Sequence, residues 1–367
     1  MRKFITVAGI LKTGAMVATA ALIVGGLTTM TPSESKANTY KLRYAEFGPP
    51  RGARQVTLQW WADEIKKQTN GQVEIEIFWS QALVKGKEAL KAVSAGLADM
   101  GSIVGVYTPA DLPIWNLANA PFGGRDPWVG TKTWQELRKV LPELRAETEK
   151  RNVKILTNFT TGSVDILSKK PILKVEDLDG LKIRATGGWG GLLRKLGATP
   201  VRIGMGELYQ ALDKGTVDAT INYIQAAKAY KHYEVAGHWT EVQMGQVLGF
   251  GIGVNLKTFN KLPADIQKTI LRVSDQYIDK FAQTYFADIA KARKDMEAGI
   301  DGKKVIFHAM EKNEREKWSQ ASSYFVEDWI KKVSKKGIDG QKVVDTMNRL
   351  RAKYEAELKT QDYPWKR

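Results

Sequence analysis

The segment LDGLKIRATGGWGGLLRKLGATPVRIGMGELYQAL, Leu178–Leu212, decides how this chain is read. It opens with a turn glycine and a short strand-like stretch, GLKIRA, whose pattern gives out at Arg184. A glycine-rich patch follows, Gly187-Gly188-Trp189-Gly190-Gly191, and then the amphipathic run LLRKLGATPV. Strand, glycine-rich turn and helix make up part of an open α/β sheet, where ligands gather at the carboxyl ends of strands. An arginine at such an end, beside glycines that let a ligand approach the backbone, suits a nucleotide or a carboxylate.

The nucleotide alternative fails on spacing. A dinucleotide site needs G-x-G-x-x-G, and three positions after Gly190 stands Leu193. No G-x-x-x-x-G-K-[ST] loop and no G-x-S-x-G elbow occurs in the sequence. The absence of cysteine excludes disulfides, thiolate metal sites and cysteine nucleophiles. The histidines are His232, His238 and His308; their spacing suits neither a metal site nor a general base, and each reads as structural or exposed. What remains is binding. A guanidinium presents a planar fork of donors that matches a carboxylate at two points. The competing reading of Arg184 is an ion pair with Asp179 or Glu176.

Working outward, YKLRYAEFG reads as a strand ending near Glu46, and RQVTLQWWADEIKKQTNG as a helix stopped by Asn70-Gly71. QVEIEIFW alternates as a half-buried strand, GKEALKAVSAGLADM carries a helical face of Leu90, Val93 and Leu97, and MGSIVGVY reads as a small apolar strand. Alternating strands and helices imply parallel pairing through right-handed crossovers. After a loop rich in Pro, Gly and Trp the pattern restarts with a helix expected over roughly 131–151, then strands NVKILTNF, SVDILSKKP, GLKIRA and VDATINY. VLGFGIGVN should return to the first region. From Pro263 a helix runs without Pro or Gly to Gly299, more than about 45 Å at 1.5 Å per residue, long enough to cross more than one domain.

The N-terminus has the order of a secretory leader: a basic MRK, an apolar small-residue run, and small residues at Ser35 and Ala37, with cleavage expected near Ala37. The mature chain is expected to be soluble and periplasmic. The formal net charge is +16; loss of the leader would bring it to about +13. Such a surface attracts anions, although lysines spread along helical faces usually form only a solvated face, and export argues against nucleic acid.

These segments together are specific. GLKIR, LGATPV, GELYQALDKGTVDATIN and YKHYEV, with WADEIKKQTNGQVEIEIFWSQAL, NAPF and NLKTFNKLPADIQKTI, resemble in order the solute-binding proteins of TRAP transporters, the DctP type. The resemblance implies a two-lobed periplasmic binding protein of α/β class, with an interlobe ligand cleft and a long helix spanning both lobes. Lobe I is expected over 38–160 plus about 249–292, and lobe II over 161–248 plus about 293–367. It implies capture of an organic acid and its delivery to a membrane permease driven by an ion gradient. The family's signature arginine falls on Arg184 and its pocket asparagine on Asn222. Further pocket positions fall on Glu46 and Phe47, on Met205, and on Ile103, Val104 and Tyr107.

Departures from the family pattern narrow the expectation. The second arginine that many members carry would fall near Ser163 and is missing. Thr220 and Tyr223 replace the usual Gln and Pro around Asn222. A monocarboxylate is therefore favoured, with Trp189, Phe47, Met205 and Tyr223 packing against its body. No metal and no cofactor is expected. Two alternatives stand beside the receptor reading. One is an exported isomerase or lyase with Glu46 as its base; the other is a sensor that passes its ligand signal to a membrane kinase.

Overall fold

The computed structural model describes residues 39–121 and 123–367, and the expected leader lies outside them. In chain order the first half contains β1 (Tyr40–Ala45), α1 (Gly52–Gln68), β2 (Val73–Phe78), α2 (Ala89–Ala95), β3 (Met100–Val104), α3 (Pro127–Val140), α4 (Pro142–Glu149) and β4 (Val153–Phe159). Then come β5 (Asp165–Ser168), β6 (Lys182–Arg184), α5 (Gly188–Lys195), β7 (Thr199–Val201), α6 (Leu208–Asp213), β8 (Ala219–Asn222), α7 (Ile224–Ala229) and β9 (His238–Glu241). The chain finishes with β10 (Phe250–Asn255), α8 (Leu256–Asn260), α9 (Ala264–Ala298), β11 (Ile306–Ala309), α10 (Lys312–Ser322), α11 (Tyr324–Ser334) and α12 (Gly340–Gln361).

Two sheets organise two lobes. The first has the order β2-β1-β3-β10-β4, and the second β11-β9-β5-β8-β6-β7. The expected parallel pairing holds for β1 with β2 and with β3, while β10 returns to the first sheet antiparallel to both β3 and β4. In the second sheet β6 runs parallel to β7 and β8, and β5 antiparallel to β8 and β9. Burial follows periodicity where packing demands it. On α1 the stripe Leu58, Trp61, Ile65 is buried, whereas Val56 is exposed. Leu97, expected on the face of α2, is exposed because Gly96 ends that helix in the left-handed region (φ 78).

The single helix expected over 131–151 is two helices. Asp126 accepts from the Val129 amide at 3.0 Å and Pro127 occupies the first turn, so α3 starts four residues earlier than expected. Pro142 then ends it, because Leu141 before it is extended (φ −109, ψ 100) and Pro142 has no N–H to continue the ladder.

The two lobes are joined by two strand-like crossings and by α9. The crossings, between β4 and β5 and between β9 and β10, bond to one another: Val164 N–H donates to Gly245 O at 2.7 Å and Thr161 N–H to Val247 O at 3.2 Å. The 35 residues of α9 span about 52 Å. Early in the helix Tyr277 and Phe281 are buried in the main core, and near its end Arg293 pairs with Glu241 and Lys228 with Asp295. Tyr285 ties it to the crossing by accepting from the Gly162 amide at 3.0 Å. The expected second lobe reached to the C-terminus. α10 does lie there, with Lys317 paired to Glu176. α11 instead bridges the two lobes, its Trp329 Nε1 donating to Pro113 O at 2.9 Å while Tyr324 and Phe325 face α5. α12 returns to the first lobe. The stripe Val343, Met347, Leu350, Tyr354 has its apolar partner there, with Tyr354 edge-on to Trp128 of α3 at 5.8 Å. Among the described residues no helix is long and apolar enough to cross a membrane.

Candidate functional site

Arg184 ends β6, beside β7 and β8, and is only 5% exposed. Two backbone carbonyls hold it: Nε donates to Ile203 O at 2.9 Å and Nη1 to Ile221 O at 3.3 Å. The alternative pairing with Asp179 or Glu176 does not form, since Glu176 bonds Lys317. Among the described residues no carboxylate forms an ion pair with Arg184. A buried guanidinium fixed by neutral acceptors and left without a counter-ion is able to receive an anion, because a buried charge without a partner is costly.

A cavity of about 30 Å³ adjoins it, walled by Trp189, Met205, Tyr223, Tyr107, Val164 and Phe250. Trp189 is fully buried, and its indole N–H has no hydrogen-bond partner among the described residues. The sequence presented it as an apolar wall; the structure adds a free donor beside Arg184. Burial, partly offset by Arg54, pushes the Tyr223 phenol up to about 12, so it stays neutral. The lobes meet over this cavity. Arg202 donates to Val106 O at 3.0 Å and Tyr107 O at 3.1 Å, and the Met205 amide donates to Tyr107 Oη at 3.2 Å.

Asn222 is fully buried but does not line the cavity. Its Oδ1 accepts from the Tyr223 amide at 2.9 Å, which fixes the amide orientation and turns Nδ2 to His232 Nδ1 at 3.1 Å. His232 must then be neutral and protonated on Nε2; burial, then the Arg184 charge, push its pKa down to about 3. Asn222 therefore keeps one amide hydrogen and one Oδ1 lone pair uncommitted, both away from the cavity lining.

Glu46 and Phe47 are also occupied. Glu46, 1% exposed, accepts from the Gly48 amide at 2.6 Å, Ser102 Oγ at 2.5 Å and Arg54 Nη1 at 3.0 Å. A carboxylate held by three donors is poorly placed to act as a base. Phe47 and Val104 are buried behind the cavity, with Phe47 stacked on Phe250 at 6.4 Å. Arg54 is the residue that sequence reading missed. Its guanidinium lies over the rings of Phe47, Phe159 and Phe250 at 4.2, 4.7 and 5.5 Å. Burial opposes its charge, but Glu46 and the nearby phenols Tyr230 and Tyr223 outweigh that and raise its pKa. The only sequence signal was an arginine in the first turn of α1, close to a strand end.

The glycines of the patch answer to packing as well as to conformation. A Cβ on Gly188 would stand 2.4 Å from Phe325, and one on Gly191 2.2 Å from Tyr324 Oη. Both positions must be bare so that α11 can lie against α5, so ligand approach is not what they serve. Only Gly187 is dictated by backbone, at φ 61 and ψ −142. A larger groove of about 410 Å³ lies between α5 and α11, but it does not reach Arg184 and its cations, Arg194, Arg202 and Lys332, are exposed. Arg184 and Trp189 meet at the smaller cavity.

The family model for bacterial extracellular solute-binding protein, family 7 (DctP), matches residues 48–332. The 2,3-diketo-L-gulonate-binding periplasmic protein of Escherichia coli is 25% identical over 332 residues, covering 89% of this chain and 97% of that protein. The C4-dicarboxylate-binding periplasmic protein of Rhodobacter capsulatus is 28% identical over 261 residues, 70% of this chain and 76% of that protein. A TRAP solute-binding protein from Rhodoferax ferrireducens, solved with copurified benzoate, superposes with a TM-score of 0.78 at 21% identity, over 87% of this chain and 99% of that one.

Proposed function

Because the chain belongs to the DctP family of bacterial extracellular solute-binding proteins, we propose that it captures an organic monocarboxylate at Arg184 and hands it to a TRAP membrane permease from the periplasm. One observation carries this reading: Arg184 is buried, fixed by two carbonyls, and has no ion-pair partner among the described residues. A carboxylate entering the cavity would meet the free face of the guanidinium and the Trp189 N–H. Tyr223, Met205 and Tyr107 would pack against its body. The relatives support the class, since those reported above are named for, or were solved with, carboxylic acids.

The preference for one carboxylate rests on the position where a second arginine was expected. The Ser163 hydroxyl is buried there with no hydrogen-bond partner among the described residues, and its neighbour Val164 lines the cavity. The engagement of Glu46 in three bonds supports a receptor over an isomerase or lyase. We read the leader as cleaved near Ala37, and the site as needing neither metal nor cofactor.

The test is a thermal-shift and calorimetric screen of keto, hydroxy, aromatic and dicarboxylic acids, with Arg184→Ala run beside the wild type. A ligand at a hundred times its Kd should add about 2.7 kcal/mol of stability. The gain should vanish in the variant. A gain that survives the substitution moves the site away from Arg184.

A further inference from the structure

A second cavity, of about 40 Å³, lies on the other side of Tyr223 from the Arg184 cavity; Tyr223 lines both. Phe159 lines one and Phe250 the other, and these rings stack at 5.1 Å, so the two spaces are separated by little more than side chains. Unlike the first cavity, the second holds acceptor chemistry. Gln225 is 7% exposed, and its Oε1 has no hydrogen-bond partner among the described residues. Tyr230 Oη is likewise buried and unpartnered. The Arg54 guanidinium forms part of the same wall, with its charge balanced by Glu46 at 3.0 Å.

We propose that Gln225, Tyr230 and Arg54 form a second ligand subsite that takes a neutral oxygen, a hydroxyl or a carbonyl, at the end of the bound acid remote from its carboxylate. The inference rests on the carboxylate reading of Arg184 and extends it from one end of the ligand to the other. A hydroxyl matches the groups present: it can donate to Gln225 Oε1 and accept from Tyr230 or Arg54. A second carboxylate does not match. It would meet a guanidinium already neutralised and would bring its charge towards Glu46 and Gln225 Oε1. An acid with an apolar tail would leave the glutamine oxygen and the phenol dry and unpaired, and should bind about tenfold more weakly or worse.

The test compares acids that differ only in that oxygen: benzoate with 4-hydroxybenzoate, phenylacetate with 4-hydroxyphenylacetate, and hexanoate with 6-hydroxyhexanoate. Each is titrated calorimetrically into wild type, Gln225→Leu, Tyr230→Phe and Arg184→Ala, with circular dichroism to confirm folding. In a pair that binds, the hydroxylated member should be at least about tenfold tighter in wild type. In Gln225→Leu and Tyr230→Phe that ratio should fall towards one, through weaker binding of the hydroxylated acid and tighter binding of the unsubstituted one. Equal affinities within every pair in wild type, or a preference that both variants keep, overturn the subsite alone. Binding that persists in Arg184→Ala, or binding of none of these acids, overturns the carboxylate reading and the subsite with it.

Discussion

Gly191→Ala separates packing from ligand approach in the glycine patch. Inside an exposed helix this change would stabilise by about 1 kcal/mol, since alanine is the better helix former. Here the new Cβ would stand 2.2 Å from Tyr324 Oη, with the next ring atom, Cζ, at 3.4 Å. The clash is therefore with a single atom. Overpacking of this kind costs about 1–3 kcal/mol, so the variant should be about 1–2 kcal/mol less stable than wild type by urea denaturation. Tyr324→Phe removes the offending oxygen. Among the described residues that hydroxyl forms no hydrogen bond, while the ring keeps Lys195 over its face at 3.8 Å, so the single change should be nearly neutral. In the Tyr324→Phe background Gly191→Ala should become neutral or stabilising, a coupling of about 2 kcal/mol in a double-mutant cycle. Carboxylate affinity should change little throughout. If Gly191→Ala leaves stability intact but abolishes ligand binding, the glycines serve the ligand and the packing argument is wrong.

Other consequences can be measured directly. Burial, opposed by the Gln243 amide at 2.6 Å, raises the Asp165 carboxyl to about 7. The folded state thus binds that proton more tightly than the unfolded chain. The stability it contributes is complete below about pH 4 and lost as pH climbs to 7, an effect of up to about 4 kcal/mol. Asp165→Asn keeps an acceptor for Gln243 without the charge, so its melting temperature relative to wild type should rise between pH 4 and 7; a constant difference would sink the assignment. His232 works in the opposite sense, giving up stability as pH falls from about 6.5 to 3, so only the difference between variant and wild type isolates Asp165. Arg54→Leu strips a counter-ion from buried Glu46 and should cost about 3 kcal/mol by denaturation, and adding Glu46→Gln should recover part of it. Arg202→Ala loses two bonds across the lobes and should weaken ligand binding about fivefold, chiefly through faster dissociation seen in stopped-flow fluorescence.

What the sequence disclosed followed physical range. Strands such as Val73–Phe78 and the long helix after Pro263 carry their periodicity locally, and the structure has them where they were expected. Arg184 was legible because a strand end is a local event. Pro142 was equally local and should have divided the helix that was read as continuous. The remaining differences depend on distant partners. Gly191 is small because of Tyr324, and Asn222 is engaged because His232, ten residues on, is folded back beneath it. Arg54 looks like any first-turn arginine until three phenylalanines from separate strands or strand ends converge around it. The destination of α12 was hidden for the same reason. An amphipathic stripe announces that it must be covered, without saying by which lobe.

The order of the first sheet constrains how the molecule is made. β10 lies between β3 and β4 and bonds to both, yet it emerges from the ribosome roughly 90 residues after β4. At about 5–20 residues per second, the two halves of that sheet wait about 5–20 s with facing edges unsatisfied. No fragment ending before Phe250 contains a finished first sheet, although it carries four of the five strands. Assembly is therefore withheld until most of the chain is present, and the closing strand acts as a late checkpoint on completeness.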